Sequence, residues 1–135
     1  LRQAQAWLTP GTGAAIDPGA NPNDAELLAA VCSAEAAAAG RAGDEAAALR
    51  AAHEARAALA QMRAGRDPRD VAEQLLAAEQ LTRLARLPLG RSPATRAWQA
   101  DTAGEARALF QALAERRVIT PEARPEWAWL SRAVP

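Results

Sequence analysis

The stretch DPRDVAEQLLAAEQLTRLARLPLGRSPATR, residues 67–96, decides the fold class of this chain. It opens with Asp67-Pro68-Arg69-Asp70, where acidic residues and a proline form a helix-start signature. Leu87-Pro88-Leu89-Gly90 supplies the matching stop signal. Between them, apolar residues recur at steps of three and four, the period of an amphipathic helix. They are Val71, Leu75, Ala78, Leu81 and Leu84, with Leu76 widening the face.

The composition extends this helical prediction to the rest of the chain. Half of the 135 residues are hydrophobic, alanine supplies more than half of that share, and there is no Tyr and only one Phe. Good helix formers dominate, whereas the β-branched and aromatic residues that strands favour are scarce. The sequence therefore predicts an all-α fold, a compact bundle of five to six helices around a narrow core.

Breaks in the helical pattern divide a single predicted helical-bundle domain, residues 1–135, into four parts. In the first helix of residues 21–65, the residues predicted to face inward are Leu27, Leu28, Val31 and Cys32. Within residues 67–117, Ser92-Pro93 is predicted to start a short helix. Thr102 and Glu105 are predicted to form a capping box that starts the helix after it. The parts are 1–20, a short helix with Trp7 plus a loop; 21–65, a helix hairpin; 67–117, a second helix pair with a short intervening helix; and 121–135, a terminal helix.

Charge and cysteine content limit the class of protein. The formal net charge is zero, which argues against a surface that is basic throughout. All 16 basic residues are arginine, either because of a GC-rich genome or because planar contacts to phosphate or carboxylate favour arginine. Cys32 is the single cysteine, and no run is long and apolar enough for a membrane span. These features favour a cytoplasmic protein.

The residue types for catalysis or metal binding are few. His53 is the single histidine, and a catalytic interpretation would pair it with Cys32 or Ser33 on the preceding helix. The alternative is a histidine at a helix surface or interface, and we favour it because nothing near Cys32 is built to activate a thiolate. The four acids of this hairpin are interpreted as a solvated face rather than a metal site; they are Glu26, Glu35, Glu45 and Glu54. The sequence predicts no enzyme, no metal and no cofactor.

Arginine is unbalanced by acid in one segment. No acidic residue lies between Glu79 and Asp101, and four arginines do. Arginines on one face bind a nucleic-acid backbone without reading its sequence, although a solvated helix end would show the same pattern. The predicted contact residues in this segment are Arg83, Arg86, Arg91 and Arg96. Arg56, Arg63, Arg66 and Arg69 are predicted to extend the surface.

Two tryptophans near the end of the chain predict a contact with another protein. Trp127 and Trp129 are two residues apart, so on a helix they point about 200° apart and cannot both enter one small core. One of them is expected to face a partner, the alternative being a lid on the core. Residues 1–61 carry a net charge of −3 and residues 62–135 a net charge of +3, from 4 Arg against 7 acids and 12 Arg against 9. This asymmetry is compatible with contact between copies or with a charged partner, and equally with solvated faces.

In size, helical class and arginine patch, the chain resembles the small helical-bundle subunits of CRISPR effector ribonucleoproteins. The resemblance implies a non-catalytic subunit that lies along RNA or single-stranded DNA and touches the backbone through Arg83, Arg86, Arg91 and Arg96. Its partners would be other protein subunits, including further copies of itself. The alternative is a protein-only adaptor, or helical interaction module, that recognises a peptide or a partner helix.

Overall fold

The computed structural model describes residues 22–65, 67, 69–120 and 124–133. These residues form five helices and no strand, which confirms the all-α prediction. The short helix predicted within residues 1–20, with Trp7, lies outside the described residues. The helices are α1 (Pro22–Arg41), α2 (Glu45–Ala64), α3 (Val71–Ala85), α4 (Pro93–Glu115) and α5 (Arg124–Ala133).

Three residues reverse the chain between α1 and α2. Gly43 has a φ of 83°, a left-handed conformation that glycine adopts without a steric penalty. The Gly43 N–H donates to the Gly40 carbonyl (3.1 Å) and the Asp44 N–H donates to the Ala39 carbonyl (2.9 Å). This is the paired hydrogen-bond pattern that ends many helices. Asp44 then caps α2 by accepting from the Ala47 N–H at 3.1 Å, so α1 and α2 form the predicted antiparallel hairpin.

Small side chains line the contact between α1 and α2, which pack together more extensively than any other pair of described helices. Leu28 and Cys32 are buried as predicted. The prediction for Leu27 was wrong, because its side chain is 53% exposed. Each residue turns a helix by about 100°, and the buried residues of α1 occupy the face opposite Leu27. The alanines buried in this hairpin are Ala25, Ala29, Ala36, Ala37, Ala48, Ala51, Ala52, Ala55 and Ala58.

The helix predicted from residues 67–96 is α3. It begins one turn later than the proline suggests, because Asp70 is the N-cap and its side chain accepts from the Ala72 N–H at 2.9 Å. Asp67 instead accepts from the Arg69 N–H in the preceding turn. The predicted inward residues Leu75, Ala78, Leu81 and Leu84 are buried, and Val71 and Leu76 are partly buried against the same core.

A single helix, α4, replaces the predicted short helix and its successor. Ser92 caps its start by accepting from the Thr95 N–H at 3.2 Å, and Pro93 occupies the first turn. The predicted capping box was wrong: Thr102 is fully buried inside the helix, and its hydroxyl donates to the Trp98 carbonyl at 2.9 Å. Threonine satisfies its hydroxyl in this way without ending a helix, so the local pattern was ambiguous.

The hairpins α1–α2 and α3–α4 stack so that α2 and α4 run in the same direction. Glu45 at the start of α2 contacts Ser92 and Thr95 at the start of α4. α5 closes the core through Leu130, which is fully buried, and packs on α4 and α3. None of the helices in the described ranges combines the length and apolar character needed to cross a membrane.

Candidate nucleic-acid interface

Five arginines gather where α1 and α3 end and α4 begins. Four of them were predicted as contact residues and the fifth, Arg41, was not. All five are exposed, and none forms an ion pair with an acidic side chain in the described part of the chain. We call this surface the basic end; its residues are Arg41, Arg83, Arg86, Arg91 and Arg96.

The segment that carries Arg91 is fixed to the bundle at several points. Leu89 is 1% exposed and anchors the loop in the core. The Gln99 side-chain amide of α4 donates to the carbonyls of Ala85 (3.1 Å), the last residue of α3, and Leu87 (2.8 Å), in the loop that follows. The loop therefore holds its arginines on a rigid support.

Glu45 ties the loop to α2. Its carboxylate accepts from the Thr95 hydroxyl (2.6 Å) and from the Ser92 N–H (2.9 Å). These hydrogen bonds, from Thr95 first and then Ser92, lower the pKa of the Glu45 carboxyl below its ordinary value of 4.5. Asp44, the neighbouring acid, is occupied as the cap of α2. The acids at this end of the bundle are therefore engaged with hydroxyl and backbone donors rather than with arginine.

The lowered pKa of Glu45 gives a pH-dependent contribution to stability. Because the folded-state pKa lies below the unfolded-state value, ionised Glu45 stabilises the fold above the unfolded value, and this contribution is lost as the pH falls through the folded value. We expect the difference in unfolding free energy between the wild type and Glu45→Gln to be largest near neutral pH and to shrink on acidification below about 4.5. Urea denaturation over a pH series measures it, and a difference independent of pH would contradict the assignment.

Arg86 and the terminal helix meet at the basic end. The Arg86 guanidinium lies over the Trp129 ring, 5.0 Å from its centroid, a distance typical of a cation–π contact. Trp127 instead packs toward Phe110, with ring centroids 6.0 Å apart. Both tryptophans are partly buried against the core. Contact of either with a partner stays a prediction.

Arg56 and Arg63 are engaged elsewhere. Arg56 donates to Glu105 (3.1 Å from Nε) and to Asp101 (2.9 Å from Nη1), and Arg63 donates to the other oxygen of Glu105 at 3.0 Å. Burial lowers the pKa of Arg56, but hydrogen bonds to Glu105 and Asp101 outweigh it and raise the pKa above its ordinary value. This cluster joins α2 to α4. Because the charges of its two arginines and two acids cancel, it offers little attraction to an anion.

The remaining predicted arginines lie apart from the basic end. Arg66 is outside the described residues. Arg69 is exposed just before α3, whereas Arg86 follows its last residue. The 15 residues of α3 span about 22 Å at 1.5 Å per residue. The surface predicted from sequence is therefore divided, and Arg69 belongs to the opposite end of the bundle.

The catalytic interpretation would pair His53 with Cys32 or Ser33, and this pairing is not formed among the described residues. The thiol of Cys32 is fully buried and lies 3.7 Å from a carboxylate oxygen of Glu54. His53 is exposed, and its ring packs against Trp98 with centroids 5.2 Å apart. Among the described residues, no three His, Cys, Asp or Glu side chains come together as a possible metal site.

Arg41 was missed because it is 42 residues from Arg83 in sequence. The backbone of Gly40 lies directly against Pro88, and this contact brings the end of α1 to the loop after α3. The one sequence signal for the position of Arg41 was the prediction of two hairpins, because stacked hairpins bring helix ends together. No protein-family model matches the sequence, and no curated protein or solved structure was found to match it.

Proposed function

We propose that this chain is a non-catalytic helical subunit of a larger cytoplasmic assembly, and that its basic end contacts the phosphate backbone of RNA or single-stranded DNA. The observation that carries the proposal is the contrast between two sets of arginines. Arg56 and Arg63 are neutralised by Asp101 and Glu105. The five arginines of the basic end form no ion pair with an acidic side chain among the residues that the structure describes. Unpaired, exposed guanidinium groups are suited to phosphate.

The proposed contact is to the backbone rather than to the bases. Base-stacking platforms interleave arginine with exposed aromatic rings. Trp98 lies beneath Arg56 at 5.9 Å, and Trp129 is covered by Arg86. Each of these rings is therefore already in contact with an arginine of the chain, and binding is expected to show little sequence preference.

A neutral chain with one basic end suits a subunit better than an independent nucleic-acid-binding protein. The five arginines supply a limited electrostatic attraction, and the zero net charge adds no long-range attraction. Other protein subunits would hold the chain along the nucleic acid. The resemblance in size, helical class and arginine patch extends the proposal to the small subunit of a CRISPR effector ribonucleoprotein.

Binding of a fluorescent single-stranded polyuridine oligonucleotide, measured by anisotropy over a salt series, tests the proposal. We expect wild-type binding at low salt to weaken as salt rises. In the variant with Arg91→Ala and Arg96→Ala, binding should weaken and the slope of log K against log salt should fall by about 1.4, because each lost phosphate contact removes about 0.7.

The matched control is the variant with Arg69→Ala and Arg116→Ala. It removes the same charge from exposed positions at the other end of α3 and α4, and it should keep the wild-type slope. Absence of wild-type binding at low salt, or equal losses in both variants, would contradict the proposed surface.

The second candidate function is a protein-only adaptor. The exposed side chain of Leu27 favours it, because Leu27 and the exposed Ala30, Ala34 and Ala38 form a contiguous apolar face on α1, and contiguous apolar patches mark protein contacts. Wild-type protein that binds no oligonucleotide even at low salt would favour this function over the first.

A further inference from the structure

An aromatic ring of α5 supports one arginine of the basic end. The guanidinium carbon of Arg86 lies 5.0 Å from the centroid of the Trp129 ring, close enough for a cation–π contact. Trp129 is partly buried against the core, and the next residue, Leu130, is fully buried. The ring is therefore a fixed platform for an arginine that is otherwise exposed.

The contact with Trp129 leaves the hydrogen-bond donors of Arg86 available. A ring attracts a guanidinium group through its π electrons, and arginine can stack on an aromatic face and still bind a phosphate through its N–H donors. In the described part of the chain, the Arg86 side chain forms no hydrogen bond and no ion pair. Arg86 is thus held in position while its donors are engaged by none of the described residues.

A second tryptophan of the bundle also lies beneath an arginine, in a different electrostatic setting. The Arg56 guanidinium is 5.9 Å from the centroid of the Trp98 ring, but its N–H groups donate to Asp101 and Glu105. A ring and two acids together neutralise that cation. Arg86 has the ring without a described acid, which is the arrangement expected of an arginine that serves an external anion.

Arg86 is fixed at its backbone as well as at its tip. It is the C-cap of α3, and its N–H donates to the carbonyls of Thr82 and Arg83, both at 3.2 Å. Because α3 places one end of the side chain and α5 the other, the side chain has fewer conformations to lose when it meets a ligand. Ordering a free arginine at an interface weakens binding by about two- to tenfold, and the contact with Trp129 reduces that loss.

We infer that Trp129 is a positioning residue of the basic end, which holds Arg86 so that its guanidinium meets a phosphate of RNA or single-stranded DNA with little loss of side-chain freedom. The inference rests on the proposed function and gives α5 a part in it. Trp129 acts through Arg86 rather than by stacking on a base. Its ring therefore contributes to affinity without adding a charge.

Binding of the fluorescent polyuridine oligonucleotide at low salt tests the role of Trp129. Trp129→Leu, which keeps an apolar side chain against the core, should weaken binding by about two- to tenfold. Its slope of log K against log salt should stay at the wild-type value, because Arg86 still meets its phosphate, whereas Arg86→Ala should lower the slope by about 0.7. Trp129→Phe, which restores a ring, should recover most of the affinity.

Trp98→Leu is the matched control. It removes the ring beneath Arg56, an arginine that acids already neutralise, and it should bind polyuridine as the wild type does. Urea denaturation checks that each variant is folded under the conditions of the binding assay. Trp129→Met, in which a flexible apolar side chain fills the same gap, gives the same test if Trp129→Leu does not fold.

A double-mutant cycle separates positioning of Arg86 from a purely structural role of Trp129. In the Arg86→Ala background, Trp129→Leu should cause no further loss of affinity, because Trp129 acts only through Arg86. An additive loss, or a Trp129→Phe variant as weak as Trp129→Leu, would overturn the inference. Wild-type affinity in Trp129→Leu would overturn it and leave the proposed function standing, provided that Arg91→Ala with Arg96→Ala weakens binding. A wild type that binds no polyuridine would overturn both.

Discussion

Replacement of Gly40 by alanine is expected to destabilise the fold by about 3 kcal/mol or more, the upper range for forcing extra atoms into a packed site. A Cβ at residue 40 would lie 1.8 Å from the Pro88 carbonyl oxygen and 2.8 Å from its carbon. Both are backbone atoms, so no side-chain rotation relieves the overlap. The end of α1 and the loop after α3 would have to separate. Urea denaturation measures the loss.

Gly104→Ala is the matched control for Gly40→Ala. Both glycines lie within helices, but a Cβ at residue 104 would meet nothing within 4 Å. Alanine is favoured over glycine inside a helix by up to about 1 kcal/mol, so Gly104→Ala should raise stability. Opposite signs for the two variants would support the contact between Gly40 and Pro88, and a neutral Gly40→Ala would contradict it.

Phe110→Ala is expected to cost about 3–5 kcal/mol, the usual range for truncating a buried phenylalanine. Phe110 is fully buried on α4, and among the residues that the structure describes it is the largest fully buried side chain. Its ring packs toward Trp127 of α5, so its loss leaves a cavity beneath the terminal helix. Unfolding free energy from urea denaturation tests the cost, and near-ultraviolet circular dichroism reports the packing of the tryptophans.

Phe110→Leu is the control for that truncation. It keeps an apolar side chain at the same place and should cost less than Phe110→Ala. A loss of about 0.5 kcal/mol or less for Phe110→Ala, the usual range for surface positions, would contradict the packing of α5 on α4.

Local periodicity was enough to predict the helices that pack through one clear face. The steps of Leu75, Ala78 and Leu81 placed the core side of α3, and the caps at Asp44 and Ser92 formed as their residue types predict. These features depend on residues a few positions apart. Patterns that involve residues a few positions apart can be read directly from the sequence.

Features that depend on long-range contacts were predicted less well. Thr102 fits a capping box, but inside the bundle its hydroxyl also accepts from Arg56 at 3.0 Å, a residue of another helix. Pairing of Arg56 with Glu105 spans 49 positions, and the sequence showed only an arginine and a distant acid. Which arginines were neutralised could therefore be known only from the packing of α2 beside α4.

The same packing refined the candidate surface. It separated Arg56 and Arg63 from the predicted contact residues and added Arg41 through the contact between Gly40 and Pro88. The result is a smaller patch at one end of the bundle. A small patch is easier to test residue by residue than the broad surface predicted from sequence.

The most direct test of the basic end is an NMR titration of the ¹⁵N-labelled chain with single-stranded polyuridine at low salt. We expect the shifts to concentrate in the amides of residues 83–96 and of Arg41, with Arg56 and Arg63 unaffected, and to disappear as salt is added. Absence of shifts, or shifts confined to Arg69 and the opposite end of the bundle, would contradict the proposed contact with a nucleic-acid backbone.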